Sequence, residues 1–107
     1  MSNLTLSPAP LTFQQAVDAL GGRDSRKIGH NTLLERRGAE VVATYHNNDI
    51  VRYSADGVFA SWAGWATSTT SNRLNKLTQG RFNIKNREPQ VNGVTVEGSW
   101  SDWHKVG

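Results

Sequence analysis

The residues best equipped for chemistry lie between Trp62 and Lys76: Trp62-Ala63-Gly64-Trp65, a hydroxyl run Thr67-Ser68-Thr69-Thr70-Ser71, then Arg73, Asn75 and Lys76. Indole faces stack on bases or fill protein pockets, and Arg and Lys neutralise phosphates or meet carboxylates. The competing use of two tryptophans around a glycine is packing at a sheet–helix junction with the indole N–H satisfied, and that use is favoured for at least one of the pair. The other reactive types are His30, His46, Asp49 and His104. They show no His-x-x-x-His or similar ligand spacing, so no metal site is expected. The acids are scattered (Asp18, Asp24, Glu35, Glu40, Asp49, Asp56, Glu88, Glu97, Asp102), and a metal nuclease would want them clustered. No Gly-x-Ser-x-Gly elbow is present, and Gly21-Gly22-Arg23 reads as a helix end and not as a phosphate loop. The expectation is a protein without cofactor that binds and does not catalyse.

Charge is mild in total and uneven in distribution. Twelve Lys/Arg against nine Asp/Glu give a net charge of +3 over 107 residues. Arg73, Lys76, Arg81, Lys85 and Arg87 follow one another with no acid between them. Such a stretch can meet a phosphate backbone or an acidic protein, or can simply be a solvated face. There is no cysteine, which fits a reducing compartment. The N-terminal residues have neither a basic n-region nor an apolar h-region, and no run reaches membrane-spanning length. The reading is a soluble intracellular protein.

The elements that must position these residues are signalled locally. Residues 1–10 read as a proline-marked arm, and 11–107 as a single α+β domain. Thr12 with Gln15 forms a capping box before Phe13, Ala16, Val17 and Leu20, and Gly21-Gly22 ends that helix. A meander follows: strands over Ile28–Glu35, Val41–His46, Ile50–Tyr53 and Val58–Trp62, with turns at Arg37-Gly38, Asn47-Asn48-Asp49 and Ser54-Ala55-Asp56-Gly57. Glu35 beside Arg36 and Arg37 reads as an ion-paired strand end. A hydroxyl at 67–70 caps a second helix near 69–78 carrying Leu74 and Leu77, which Gly80 ends. Phe82 and Ile84 mark a further strand, Pro89 interrupts, Asn92-Gly93 turns, and Val94 and Val96 form a last short strand. The core is drawn from Phe13, Leu20, Val42, Ile50, Val51, Phe59 and Leu74. The fold class is therefore α+β: a twisted antiparallel sheet of about four to six strands, with both helices on one face.

Gly29-His30-Asn31-Thr32, Leu34-Glu35-Arg36, His46-Asn47-Asn48-Asp49-Ile50-Val51, Gly64-Trp65-Ala66-Thr67-Ser68-Thr69-Thr70 and Arg73-Leu74-Asn75 together resemble a group of small proteins encoded in tailed-phage and prophage genomes. The resemblance spans about residues 29–77. It implies a phage-type origin and carries no catalytic role. Relatives often show Gly-Gly-Trp where this chain has Ala63-Gly64-Trp65, and they end sooner, so the tail with Trp100 and Trp103 is expected to add a surface particular to this chain. With that origin, the expected function is an accessory protein acting by macromolecular binding, an inhibitor of a bacterial defence nuclease complex in the manner of anti-CRISPR proteins. Its partner would be a host defence protein or ribonucleoprotein; the alternative is a regulator that binds DNA or RNA directly. The candidate binding residues are Arg73, Asn75, Lys76, Arg81, Lys85 and Arg87 with Trp62, Trp65, Trp100 and Trp103.

Overall fold

Thr12 caps the first helix, α1 (Phe13–Leu20), its hydroxyl accepting from the Gln15 amide at 3.2 Å. The Gln15 side chain accepts from the Leu11 amide at 2.8 Å, one residue beyond the usual capping-box partner, the Thr12 amide. Gly21 closes the helix in the left-handed conformation, φ 59°. The computed structural model describes residues 4–6 and 8–107, so the part of the expected arm at Met1–Asn3 and Ser7 lies outside the described residues. Leu4 bridges Gly29, and the Thr5 amide donates to Ile28 O at 2.8 Å.

The meander is one strand richer than expected. Where a single strand over Ile28–Glu35 is predicted, the chain folds into a hairpin of β1 (Ser25–Gly29) and β2 (Thr32–Arg37). The turn is made by His30 and Asn31. Asn31 takes φ 51°, which Asn tolerates better than most residues, and the Thr32 hydroxyl donates to His30 O at 2.8 Å. Next come β3 (Glu40–Tyr45), β4 (Asn48–Ser54) and β5 (Gly57–Ala60). The β3–β4 turn falls one residue earlier than expected: His46 and Asn47, both left-handed at φ 51° and 66°, form the tight hairpin turn. A register shift between Ala43 and Thr44 follows, and consecutive Ile50 and Val51 both enter the core.

Helix α2 (Ser68–Leu77) is capped by Thr67. After it, β6 (Phe82–Lys85), β7 (Glu88–Val91) and β8 (Val94–Thr95) make a separate three-stranded sheet. Pro89 does not interrupt it: the residue is buried inside β7, paired with Ile84. Its carbonyl takes the Val96 amide at 2.9 Å just past the end of β8, where its missing N–H interrupts no ladder pair. The tail then returns as β9 (His104–Lys105), adding a sixth strand beside β5 in the order β1-β2-β3-β4-β5-β9. Far from being only an appended surface, it is part of the main sheet.

The fold is thus α+β, with the core on one face of the six-stranded sheet. Ile28, Leu34, Val41, Ala43, Val51, Tyr53, Val58 and Ala60 meet Ala16 and Leu20 of α1 and Leu74 and Leu77 of α2. Two expected core residues sit elsewhere. Val42 is buried and Phe59 half-buried, but strand alternation puts both on the opposite face.

Candidate functional site

Arg73 organises the region where the resemblance motifs meet. It is 1% exposed. Nε donates to Thr32 Oγ1 at 2.8 Å, one terminal nitrogen to Thr69 O at 3.1 Å and the other to His30 O at 3.0 Å. The guanidinium carbon stands 3.9 Å from the centroid of the Tyr45 ring. None of these partners is acidic. Burial pushes the guanidinium pKa down from its usual value, and the facing Tyr45 opposes that. The side chain ties α2 to the β1–β2 turn and to the end of β3. It is not a surface group that reads or clamps a ligand.

Asn75 is similarly committed to structure. Its amide nitrogen donates to Phe82 O and its oxygen accepts from Phe82 N, both at 2.7 Å. The Ser71 hydroxyl donates to the same carbonyl at 2.8 Å. Phe82, locked in this way, meets Trp62 edge-on with ring centroids 6.0 Å apart. Trp62 is fully buried, and its Nε1 has no hydrogen-bond partner among the described residues. The expectation that at least one of the tryptophan pair serves packing therefore describes Trp62, but without the expected N–H acceptor.

The remaining expected residues are accessible. Lys76, Arg81, Lys85 and Arg87 are exposed, and among the described residues none of them forms an ion pair. Lys76 lies in the last turn of α2, a favourable place for a cation even without a ligand. Trp100 is 37% exposed and its carbonyl accepts from the Gly64 amide at 3.1 Å. Trp103 is half-buried against Arg52.

Trp65 is different. It is 59% exposed, the most accessible tryptophan of the chain. Trp62-Ala63-Gly64-Trp65 is a tight turn closed by the Trp65 amide donating to Trp62 O at 2.9 Å, with Ala63 at φ 54° and Gly64 at φ 82°. One indole is driven into the core and the other outward. The outward one stands on the rim of a cavity of about 340 Å³ where the β3–β4 turn, this loop and the start of α2 meet. Tyr45, Ile50, Trp62 and Trp65 supply its apolar wall, and Thr67, Thr69 and Thr70 its hydroxyls. No acid, lysine or arginine lines it. Its volume lies at the small end of the range for ligand pockets, about 300–1,000 Å³. His46 also lines it, and a largely apolar recess with an exposed aromatic rim suits insertion of a side chain.

His30, His46, Asp49 and His104 do not converge; among the described residues no group of three or more His, Asp or Glu could hold a metal ion. Asp49 instead pairs with Arg37, which also holds Glu35 at 2.7 Å. These two carboxylates raise the Arg37 pKa above its usual value. That ion pair at a strand end was legible at Glu35; the participation of Asp49 needed the β2–β3–β4 register. Sequence reasoning missed Tyr45 and Thr69 as cavity walls because strand alternation and helix capping account for both. It also missed Arg52, an outward residue of an ordinary strand. Among the described residues, no helix is long and apolar enough to cross a membrane.

The chain matches no curated protein and no solved structure. The family model for the Kyanoviridae Gp96 protein matches residues 10–101, from the start of the first helix into the tail, and the chain belongs to this family of phage proteins.

Proposed function

We propose that the protein is a phage accessory protein that acts by binding a host macromolecule, without bond making of its own, through the Trp65 cavity. The finer reading is that the partner is a component of a bacterial defence nuclease complex, a protein or ribonucleoprotein of the host cytoplasm, which the protein inhibits in the manner of anti-CRISPR proteins. One observation carries the binding reading: Trp65, 59% exposed, is held by a hydrogen-bonded turn on the rim of an apolar cavity. The folded chain has no packing use for that indole, and tryptophan is the residue type most enriched at binding hot spots. Family membership supports the host setting.

The test is affinity capture from a bacterial host lysate, followed by phage plating on strains carrying a defence nuclease system. Trp65→Ala is expected to fold as the parent does and to lose both the captured complex and the protection. Equal capture by parent and variant would remove the cavity from the reading. Absence of protection against every defence system tried would remove the inhibitor.

A second reading rests on Lys76, Arg81, Lys85 and Arg87, four exposed cations without ion-pair partners among the described residues. They suit direct contact with DNA or RNA phosphates. A gel shift separates the two: nucleic-acid binding falls steeply with salt and is abolished by reversing Lys76 and Arg81 to Glu. Insertion into the uncharged cavity does neither.

A further inference from the structure

The face of the main sheet opposite the core carries one row to which every strand contributes: Ser25, Glu35, Val42, Arg52, Phe59 and Lys105, in register across β1, β2, β3, β4, β5 and β9. Both helices pack on the other face. On this face two arginine environments contrast. Arg37, at the end of β2, is saturated by Glu35 and Asp49. Arg52 forms no hydrogen bond or ion pair among the described residues, and its Nε is buried without a partner.

A buried guanidinium N–H without an acceptor is costly, because the charge-assisted bond it would make is among the strongest available. In the row, Glu35 stands two strands away, roughly 9–10 Å at ordinary strand spacing, and is held by Arg37. Meanwhile the guanidinium is fixed in place. Its central carbon lies 5.1 Å from the centroid of the Phe59 ring and 4.7 Å from that of Trp103. Aromatic faces hold a guanidinium by its plane and leave its N–H edge free to bond. Lys105, exposed, pairs with Phe59 across the strands, with its side-chain end over Gly57.

We infer that Arg52, with Phe59, Trp103 and Lys105, is a docking site for a carboxylate side chain of an acidic, apolar-flanked peptide segment on a partner protein. The carboxylate takes the two terminal nitrogens of the guanidinium, and a neighbouring apolar side chain covers the two rings. Charge complementarity selects this occupant over a nucleic-acid strand. The same row carries Glu35, and Asp49 and Glu40 lie on the same face, so a regular series of phosphates would meet repulsion within two strands of Arg52. This site is independent of the Trp65 cavity.

The test uses the full chain, ¹⁵N-labelled, titrated with an acetylated, amidated Glu-Leu-Glu-Leu peptide. The expected result is a shift of the Arg52 guanidinium resonances, largest at the terminal nitrogens, together with perturbation of the Trp103 indole. Arg52→Gln is expected to weaken binding at least tenfold, and Arg52→Lys, which keeps the charge but loses the fork, severalfold. Trp65→Ala is expected to leave it unchanged. The Gln-Leu-Gln-Leu peptide should not bind. Equal binding by that neutral peptide, no movement of the Arg52 resonance in the parent protein, or tighter Arg52-dependent binding of a ten-residue deoxythymidine oligonucleotide would each overturn the inference. Because the Arg52 resonance is read in the parent chain, the conclusion stands even where a variant fails to fold.

Discussion

Replacing Arg73 with Ala is expected to unfold the domain far more readily while contributing nothing specific to recognition. The side chain makes three hydrogen bonds to neutral acceptors and one ring contact, all inside the protein. A bond to a charged group is worth about 1.5–3 kcal/mol, but truncation also relieves the cost of burying a cation without a carboxylate. Two of the three acceptors keep other partners: Thr69 O remains within reach of the residue 73 amide through the helix ladder, and His30 O retains the Thr32 hydroxyl. The net loss then comes from the contact with Tyr45, the unpaired Thr32 acceptor and the space left behind. Together these give about 3–4 kcal/mol. At roughly 4 °C per kcal/mol for a domain of this size, Tm falls by roughly 12–16 °C. Arg73→Lys, which keeps the charge but cannot reach three acceptors in one plane, should lose about half of that. Urea unfolding followed by the fluorescence of buried Trp62 measures the change, with an unchanged m-value confirming that stability alone has moved. A loss below about 0.5 kcal/mol, the range of surface substitutions, accompanied by collapse of partner or nucleic-acid binding, would refute this and return Arg73 to the recognition surface.

Ala63→Gly should stabilise the fold by about 0.5–1 kcal/mol, because Ala63 sits at φ 54° with the side-chain cost that glycine avoids; no rise in Tm would mean the turn differs from that described. Gly57→Ala should cost about 1–3 kcal/mol and loosen β9, since an added Cβ would stand 2.5 Å from Gly107 O and 2.7 Å from Lys105 Cε; faster amide exchange at Val106 and Val58 reports it. Burial raises the Tyr53 pKa well above its usual value, and its hydroxyl donates to Leu77 O at 2.6 Å. The folded state therefore keeps the phenol proton while the unfolded chain releases it near pH 10, so stability is complete below about pH 10 and falls above it, by up to about 1.4 kcal/mol per pH unit. Tyr53→Phe should be less stable at neutral pH and lack this decline in denaturation series between pH 9 and 11.

What was readable in the sequence was whatever a short window determines. The cap at Thr12, the left-handed stop at Gly21, the Thr67 cap and the Asn92-Gly93 turn all depend on residues within four positions. The hairpin at His30-Asn31 was hidden because Ile28 and Leu33-Leu34 give apolar ends to a window of strand length, although Gly29 and Asn31 both hint at the reversal. Strand β9 was invisible for a different reason. His104-Lys105 is two residues long and becomes a strand only because β5 offers an edge. The same limit governed the site. The order Trp-x-x-Trp says that two indoles flank a turn, but left-handed φ at both Ala63 and Gly64 is what sends one inward and the other outward. Arg73 looked like a surface donor because burying an unpaired arginine is rare. It is buried here because the β1–β2 turn and α2 jointly present three acceptors, a coincidence of segments about forty residues apart.

This arrangement explains why motifs that look like recognition chemistry mostly hold the domain together, and it isolates what is left over. Asn31, Thr32, Thr69, Arg73 and Asn75 are consumed by turns and by bonds between elements. Trp65 and Arg52 are not consumed. The first is a large apolar side chain kept in water, and the second a cation fixed against two rings without an acceptor. Both are also fixed from behind. The Trp65 turn is anchored to the tail through Gly64 and Trp100, and Arg52 to the tail through Trp103. A partner that meets them does not have to immobilise them first, which removes part of the ordering cost of association. The tail therefore supports both surfaces, and at the Arg52 site it also supplies Trp103 and Lys105; Trp100→Ala, which leaves those two in place, should weaken capture through the Trp65 cavity in a lysate pull-down while peptide binding at Arg52 is retained.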